Sequence, residues 1–491
     1  MSEILKLDFF QLKEKLKART LSVSEVVDAY IQRSEDTSNL NIYVHDTFDI
    51  AREQAKIADQ RYKKGENRPL EGLPLGTKDI FCTKDIPTTC CSRILETFVP
   101  TYESTVTQNL KNAGAISLGK LNLDEFAMGS STKTSMFGPS INPYKRPDMP
   151  NRALAPGGSS GGSSAAVAAG ATLAALGTDT GGSIRQPAGH CGIVGIKPTY
   201  GLCSRWGIMA FASSLDQAGP MTRSVRDAAL LLEHMAGHDV KDSTSISKPV
   251  PNYIQTITGQ IKGLKVGIPK EYSLPGLRAD IKKLWESTAS KLKERGAEII
   301  DISLPHTELG LPVYYMVNPS EASSNYARYD GLRYGLRVAG DTLQEMYSNT
   351  RTEGFGDEVK RRIMIGTHAL SAGCYEEYYL RAQKVRRKIY EDFQNAFKKV
   401  DVILTPTTAS DAFALDDEKM DPMAMYLEDI FTVGANLAGL PGISIPAGFS
   451  ENDLPLGMQL LGPALSEPTL FNAALAIEEE ASFKHRIIEG L

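Results

Sequence analysis

Two glycine- and serine-rich segments carry residue types that could perform chemistry. They are residues 156–163 (PGGSSGGS) and 177–185 (GTDTGGSIR). Serine hydroxyls can act as nucleophiles, and glycines let backbone N–H groups crowd around a reacting group. Flexible linkers are also rich in glycine and serine, but they rarely flank an apolar, alanine-rich run such as 164–176. We therefore expect both segments to build one reactive site.

A serine nucleophile needs a base, and the residues leave three assignments open. Ser160 lies in a Gly-x-Ser-x-Gly pattern, but Pro156 disfavours the strand that should precede that motif. Ser183 could pair with a histidine such as His190, although no histidine has a distinctive setting. Ser183 could instead be activated by Lys78. The residues alone favour this third assignment only modestly.

Lys78 follows a short apolar run and precedes Ile80 and Phe81. A lysine acts as a base only when it is neutral, which requires burial to lower its pKa. A surface lysine beside Asp79 would give the same local sequence, so this segment alone does not decide. Gly181 and Gly182 would place backbone N–H groups beside Ser183, where an oxyanion must be stabilised.

Other functions are disfavoured by composition and motif. Residues 114–120 resemble a P-loop, but Leu121 replaces the Ser or Thr that would hold magnesium. Six cysteines without a Cys-x-x-Cys pair predict neither zinc nor disulfides and suit a reducing cytoplasm. The net charge of −5 argues against a nucleic-acid surface, and no apolar run approaches the ~18 residues of a membrane span.

Alternating strands and helices predict an α/β fold with a central sheet. Residues 1–65 are predicted to be helical and packed on the core, and 66–491 to form one large domain with a variable connection at 238–263. Predicted strands are 115–118, 194–198, 264–268, 297–302, 402–405, 443–445 and 455–461. Predicted helices include 105–112, 164–176, 225–235, 279–295, 320–348, 375–399 and 467–480.

Four motifs in order, between residues 70 and 235, resemble the amidase signature family. They are GLPLGTKD, PGGSSGGS, GTDTGGSIRQPA and GIKPTYG. The resemblance implies a mixed sheet covered by helices on both faces and a Ser-cisSer-Lys triad. In this triad Lys78 is the base, Ser183 the nucleophile and Ser159 the bridging serine, preceded by a cis peptide bond.

Further roles follow from the same resemblance. The backbone N–H groups of Thr180, Gly181, Gly182 and Ser183 would form the oxyanion hole. Asp179 and Arg185 would hold the shape of the loop rather than contact substrate. Leu202 and His190 depart from the family pattern, where arginine and a large aromatic residue are usual, but neither touches the implied chemistry.

Other stretches resemble the glutaminase (A) subunits of tRNA-dependent amidotransferases within that family. These stretches are 122–131, 320–325, 328–335 and 352–363. The resemblance implies glutamine hydrolysis through an acyl-serine intermediate, in a cytoplasmic heterotrimer with B and C subunits. The B subunit would bind ATP, magnesium and the charged tRNA, and would use the ammonia to convert Glu-tRNA(Gln) to Gln-tRNA(Gln). No cofactor, metal or membrane is expected for this chain.

Glutamine needs a cation for its carboxylate and an anion for its ammonium group. By motif, Arg362 would bind the carboxylate, Asp429 the ammonium group, and Tyr314 would line the pocket, with Arg361 and Tyr315 as neighbouring rivals. The alternatives are a stand-alone amidase acting on another small amide, and a catalytically silent scaffold. An intact Lys-Ser-Ser set disfavours the scaffold.

Overall fold

Small and apolar residues build one continuous sheet in the computed structural model, which describes residues 3–274, 277–417, 428–481, 483 and 488. In these residues eleven strands pair in the order β1-β3-β2-β4-β6-β5-β10-β11-β9-β7-β8. The strands are β1 (Tyr43–Asp46), β2 (Pro74–Lys78), β3 (Ile116–Leu121), β4 (Ala174–Thr178), β5 (Val194–Lys197), β6 (Ala218–Thr222), β7 (Lys265–Pro269), β8 (Glu298–Ile302), β9 (Val402–Pro406), β10 (Gly442–Phe449) and β11 (Pro455–Leu461).

Helices connect these strands and cover the sheet. They are α1 (Phe9–Lys17), α2 (Val23–Asp36), α3 (Phe48–Lys64), α4 (Thr105–Ala113), α5 (Gly161–Ala169), α6 (Arg185–Cys191), α7 (Val225–Met235), α8 (Tyr253–Thr256), α9 (Ala279–Glu294), α10 (Gly310–Asn325), α11 (Leu343–Gly354), α12 (Asp357–Ala369), α13 (Arg381–Ala396), α14 (Val433–Leu437) and α15 (Glu467–Glu480). In the described part of the chain, none of them is both long and apolar enough to cross a bilayer.

Alternation along β4 shows that the sheet has a core on each face. Ala174 and Leu176 belong to the main hydrophobic cluster, whereas Ala175 belongs to a second cluster with the alanines of α5. Successive strand residues point to opposite faces, so helices pack on both. The sheet is mixed, because β2 pairs in parallel with β3 and β4 while β4 pairs antiparallel with β6. The predicted fold class is confirmed.

The register of β2 and β4 positions the functional residues. Thr77 lies opposite Leu176 in this parallel pair, so the strands end together at Lys78 and Thr178. In α/β sheets, the crevice beyond the carboxyl ends of the strands is the usual ligand site. The loop that contains Ser183 leaves β4 at this edge, and α5 begins within the other Gly/Ser segment, at Gly161.

Three sequence predictions about local structure were wrong. Residues 164–176 are not one helix, because α5 ends at Ala169, Gly170 adopts a φ of +72°, and the chain then enters β4. Residues 320–348 are not one helix either, since α10 ends at Asn325 and α11 begins at Leu343. The segment 1–65 is not helical throughout, because it also supplies the edge strand β1.

Candidate active site

Lys78 ends β2 in a buried pocket of hydroxyl groups. Its Nζ lies 2.8 Å from each of three oxygens, those of Ser159 Oγ, Ser160 Oγ and Thr178 Oγ1, and donates a longer bond of 3.4 Å to the Thr178 carbonyl. The side chain is completely buried. Strand β2 delivers the amine to this position, and the two Gly/Ser segments supply all three hydroxyls.

Burial lowers the pKa of Lys78 from 10.5 to about 7, against the opposing influence of Asp124 and Asp179. Neither carboxylate is close enough to form an ion pair with the amine, and both are engaged elsewhere. Asp179, for example, binds the Arg185 guanidinium. Desolvation without a paired anion is the condition that leaves a lysine neutral near pH 7. The amine can therefore accept a proton.

The two serines beside Lys78 are not equivalent. The Ser160 hydroxyl donates to the Thr178 carbonyl at 3.2 Å, so its proton is already committed. For Ser159, no contact other than Lys78 engages the hydroxyl among the described residues. The Gly158–Ser159 peptide bond is cis, as the resemblance implies. Ser159 is thus the better placed of the two to pass a proton on.

Gly158 must be glycine to let this segment approach its neighbours. A Cβ built there would lie 2.1 Å from Asp124 Oδ2 and 2.6 Å from the backbone nitrogen of Ser131. Asp124 in turn accepts from the backbone N–H of Ser131 at 3.1 Å and the Thr134 hydroxyl at 3.0 Å. The loop after β3 therefore forms the wall against which the first Gly/Ser segment rests.

Ser183 lies on the loop between β4 and α6, and the two Gly/Ser segments meet there. The backbone N–H of Ser160 donates to the Ser183 carbonyl at 3.2 Å. Ser183 is partly exposed, whereas every neighbour from Gly177 to Gly182 is buried. The arrangement gives this serine access to a ligand while its backbone is fixed.

A buried ion pair holds this loop in shape. Asp179 accepts from Arg185 Nε at 3.0 Å and from Asn436 Nδ2 at 2.8 Å. Burial would raise the pKa of Asp179, but the Arg185 guanidinium outweighs it and brings the pKa down to about 2. Arg185 also donates to Gln459 on β11 at 2.8 Å. The structural role expected for this pair agrees with these contacts.

The predicted oxyanion donors differ in availability. The N–H of Gly182 donates to Asp179 Oδ1 at 2.8 Å, so this predicted donor is already occupied. The N–H groups of Thr180, Gly181 and Ser183 have no acceptor within the described residues. Thr180 is anchored separately, through a 2.7 Å bond from its hydroxyl to Asp216.

His190 is not placed to act as a base for Ser183. Its Nδ1 faces Gln186 at 3.4 Å and its Nε2 lies 3.8 Å from Glu428. Burial lowers the pKa of this imidazole to about 4. Ser160 is also a poor nucleophile, because its hydroxyl is buried and already makes two hydrogen bonds, with Lys78 and with the Thr178 carbonyl. Of the three assignments made from the residues, these contacts disfavour those that use Ser160 and His190 and leave Ser183 with Lys78.

The predicted substrate-binding residues converge around two tyrosines of α10. The Arg362 guanidinium stacks over the Tyr315 ring at 5.5 Å and over Phe211 at 5.6 Å. The Tyr315 hydroxyl donates to Asp429 at 3.1 Å. A cation and an anion thus share one aromatic side chain, a spacing suited to the two ends of an amino-acid head group.

Tyr314 connects this group to the nucleophile loop. A Cβ built on Gly181 would lie 2.4 Å from the Tyr314 hydroxyl, so the ring packs directly on the loop. Burial raises the pKa of Asp429 to about 7, although Tyr315 and Arg362 act to lower it. Arg362 is buried and bonds Glu358 at 2.8 Å, whereas the rival Arg361 is largely exposed.

The sequence did not indicate a role for Thr178, Phe211 or Asp216. It also did not show that Tyr315 contacts both Arg362 and Asp429. Thr178 lies inside the GTDTGGS motif, and its place at the end of a buried strand was the available signal. Phe211 and Asp216 had none, because their contacts join segments distant in the sequence. Among the described residues, no three His, Cys, Asp or Glu side chains gather as metal ligands would.

Comparison with known proteins identifies the family. The sequence matches the Amidase family over residues 25–471. It is 57% identical over 484 residues to the A subunit of glutamyl-tRNA(Gln) amidotransferase from Parvibaculum lavamentivorans, covering 99% of this chain and 98% of that protein. The protein of the same name from Rhodopseudomonas palustris (strain TIE-1) is 58% identical over 483 residues, covering 98% of each.

Solved structures agree. The A subunit of glutamyl-tRNA(Gln) amidotransferase from Thermotoga maritima superposes with a TM-score of 0.79 at 39% identity, covering 98% of this chain and 96% of that one. The peptide amidase of Stenotrophomonas maltophilia gives 0.82 at 29% identity, covering 96% of each chain. The chain belongs to the amidase family, and the resemblance inferred from its motifs is confirmed.

Proposed function

We propose that this chain is the glutamine-hydrolysing subunit of a tRNA-dependent amidotransferase. The observation that carries the proposal is that the cation Arg362 and the anion Asp429 both contact Tyr315. The neighbouring ring of Tyr314 packs on the nucleophile loop. A free amino acid presents both a carboxylate and an ammonium group, whereas most simple amides present neither. The full-length similarity to amidotransferase subunits supports the same substrate.

Hydrolysis begins with Ser183. Its Oγ attacks the side-chain carbonyl carbon of glutamine, its proton passes to Ser159, and the proton of Ser159 passes to the neutral amine of Lys78. The tetrahedral intermediate collapses with cleavage of the C–N bond, and the proton returns through the same relay to the leaving nitrogen. Ammonia and an acyl-serine ester result. Water then cleaves the ester, releasing glutamate and regenerating the serine.

Backbone N–H groups stabilise the negative oxygen that forms in each step. Thr180, Gly181 and Ser183 offer donors for it, and each such donor contributes about 3–4 kcal/mol in comparable hydrolases. Gly182 contributes by holding the turn through its bond to Asp179. The proposed steps require no metal or organic cofactor in this chain.

The proposed function requires partner subunits that use the ammonia. We propose a cytoplasmic heterotrimer with B and C subunits, in which the B subunit binds ATP, magnesium and the charged tRNA and converts Glu-tRNA(Gln) to Gln-tRNA(Gln). The acidic net charge of this chain, −5, is consistent with tRNA binding mainly to the partner.

The test is Ser183→Ala in the co-expressed complex. We expect glutamine-dependent amidation to disappear while amidation driven by added ammonium salt stays within about twofold of wild type, because only the ammonia source is removed. Loss of both activities would contradict the proposal. Glutamine turnover by the wild-type chain alone, at the rate of the complex, would favour the stand-alone amidase instead.

A further inference from the structure

Thr178, the last residue of β4, places its hydroxyl beside the amine of Lys78. Its Oγ1 lies 2.8 Å from Lys78 Nζ, the same distance as Ser159 Oγ and Ser160 Oγ. Thr178 is buried, and the branching at its Cβ restricts its rotamers, so the hydroxyl is held in this position. The proposed proton relay uses Ser159 and Lys78 and leaves the Thr178 hydroxyl without a role.

The number of hydroxyls around Lys78 matches the protonated amine. A neutral amine has two N–H groups, whereas the ammonium group that forms when the relay delivers a proton has three N–H donors and no acceptor. Three hydroxyl oxygens at 2.8 Å can each accept one of these bonds. The Thr178 carbonyl is more distant, at 3.4 Å, and already accepts from the Ser160 hydroxyl. Without the Thr178 hydroxyl, one N–H of the ammonium group would therefore lose its short hydrogen bond.

Thr178 differs from the two serines in what else its hydroxyl does. The Ser159 hydroxyl gives up its proton and takes another during the relay. The Ser160 hydroxyl donates to the Thr178 carbonyl at 3.2 Å and accepts from the Thr178 backbone N–H at 3.3 Å. Within the described residues, the hydroxyl of Thr178 bonds Lys78 alone. Its oxygen is therefore a constant acceptor for the amine.

A constant acceptor matters because Lys78 has two requirements. The lysine must be neutral before the proton arrives, which its burial achieves, and it must then hold that proton as a buried charge. Hydrogen bonds to charged donors are stronger than those between neutral groups. A hydroxyl acceptor thus stabilises the protonated lysine more than the neutral one, without adding a charge of its own.

We propose that Thr178 is a positioning residue that accepts a hydrogen bond from the Lys78 ammonium group and so sets how readily Lys78 takes the proton of Ser159. The inference rests on the proposed function, because it concerns the base of the same relay. In the step concerned, the proton moves from Ser159 Oγ to Lys78 Nζ as Ser183 gives its own proton to Ser159. The Thr178 hydroxyl keeps its proton throughout.

The experiment measures kcat for glutamine against pH in the complex with the partner subunits, for wild type, Thr178→Val, Thr178→Ala and Thr178→Ser. Valine is nearly isosteric with threonine but has no hydroxyl. The protonated lysine is less stable in Thr178→Val, so we expect the midpoint of the acidic limb to move about one unit to lower pH. The plateau should fall about three- to tenfold, because the lysine becomes a weaker base. Thr178→Ser should keep the midpoint within about 0.3 unit and the plateau within about twofold of wild type.

The shift can be assigned to the hydroxyl because the charges around Lys78 stay the same in these variants. The ionisable groups that act on the amine are Asp124, Asp179, Asp216 and Cys91. None of them is substituted. The profile of kcat reports groups in the enzyme–substrate complex, where Asp429 is proposed to be paired with the ammonium group of glutamine.

Thr222 provides a matched control. It is also a buried threonine, it lies on the neighbouring strand β6, and its hydroxyl donates to the Ser224 carbonyl at 2.7 Å. Thr222→Val should lower the Tm and leave the midpoint within about 0.3 unit and the plateau within about twofold of wild type. A purely structural hydrogen bond at Thr178 would give the same pattern.

Three results would overturn the inference. A wild-type pH profile in Thr178→Val would show that the hydroxyl does not act on Lys78. Equal impairment of Thr178→Ser and Thr178→Val would assign the effect to side-chain packing. A lower Tm with an unshifted midpoint, or failure of both Thr178→Val and Thr178→Ala to fold, would make Thr178 structural.

The proposed function fails in a different way. Hydrolysis of a simple amide such as propionamide, without glutamine turnover, in the wild-type complex would refute glutamine as the substrate. The same variants would then test Thr178 with that amide, because the relay through Ser159 and Lys78 is the same for any amide.

Discussion

The two halves of the candidate site are built differently. The catalytic half, defined as Lys78, Ser159, Ser160 and the loop 179–185, is held by buried hydrogen bonds such as those from Arg185 and Asn436 to Asp179. The head-group half, defined as Tyr314, Tyr315, Arg362 and Asp429, contains a buried carboxylate with a pKa raised to about 7. In the catalytic half the buried carboxylate Asp179 is already paired with Arg185, whereas in the head-group half Asp429 would be stabilised by the ammonium group proposed to bind there.

This difference has a physical cause. The catalytic half must keep one amine neutral, and hydroxyl neighbours achieve this because they carry no charge. The head-group half is proposed to bind a zwitterion, and burial of its carboxylate Asp429 disfavours the ionised form. An ammonium ion beside Asp429 would favour its ionised form and lower its pKa. The two halves therefore predict different responses to substitution.

The largest effect is expected for Lys78→Arg. Arginine keeps a positive charge and a long side chain but stays protonated at any working pH, so it cannot accept the proton from Ser159. We expect kcat for glutamine hydrolysis to fall about a thousandfold or more. Steady-state glutamate release by the complex measures it, and ammonia-dependent amidation by the same preparation shows that the complex is assembled. Retention of about a tenth of the wild-type kcat would exclude Lys78 as the base.

The catalytic half was more predictable from sequence than the head-group half. Lys78, Ser159 and Ser183 each lie in a short motif, and their expected roles come from the resemblance of those motifs to the family. The motifs did not reveal that the N–H of Gly182 is turned toward Asp179, because the direction of a backbone donor depends on loop torsions. Phe211 was also missed, since its contact with Arg362 joins residues far apart in the chain.

The fold was predictable in class and less so in detail. Five of the seven predicted strands fell within two residues of their observed ends, since buried strands carry continuous apolar runs, but β1, β4 and β6 were not predicted. Residues 164–176 were misread because alanine favours helix and a buried strand of small residues has the same composition as a buried helix. In 326–342, glycines at 331 and 335 adopt positive φ and break the predicted helix.

The second-largest effect is expected for Asp429→Asn, on kcat/KM for glutamine and on its pH dependence. The proposed mechanism needs Lys78 unprotonated and Asp429 ionised, and burial brings the pKa of each group to about 7. In wild type, log(kcat/KM) should therefore rise with a slope of about 2 below pH ~7 and level off above pH ~8. Asp429→Asn should reduce that slope to about 1 and lower the plateau about ten- to a hundredfold.

The same substitution, Asp429→Asn, should raise stability although it lowers activity. Because the folded-state pKa of Asp429, about 7, lies above its ordinary value of 3.8, its ionised form is disfavoured on folding, fully so above pH 7 and not below pH 3.8. Asp429→Asn should thus raise the Tm at pH ~8 and change it little at pH ~4. An unchanged slope would show that Asp429 does not titrate in the working range of the free enzyme, and an unchanged plateau would show that its carboxylate is not the ammonium-binding group.

The smallest effect is expected at Asp216, a carboxylate that contacts both the catalytic half and Phe211, the ring beside Arg362. Asp216 accepts from the Thr180 hydroxyl at 2.7 Å, in the catalytic half, and from the backbone N–H of Phe211 at 2.8 Å, which places that ring beneath Arg362. Asparagine can replace one acceptor oxygen but not both. Asp216→Asn should therefore lower kcat about fivefold and raise KM for glutamine by a similar factor.

A second carboxylate, Asp242, is the control that separates an effect on the positions of Thr180 and Phe211 from an effect on stability. Asp242 lines the same surface cavity as Asp216 and accepts from the Arg205 side chain at 2.6 Å and 3.0 Å, and among the described residues no hydrogen bond joins it to either half. Asp242→Asn should lower the Tm while kcat and KM stay within about twofold of wild type. If Asp216→Asn changed only the Tm, Thr180 and Phe211 would be fixed independently of each other. The catalytic and head-group halves would then be joined by the packing of Tyr314 on Gly181 and not through Asp216.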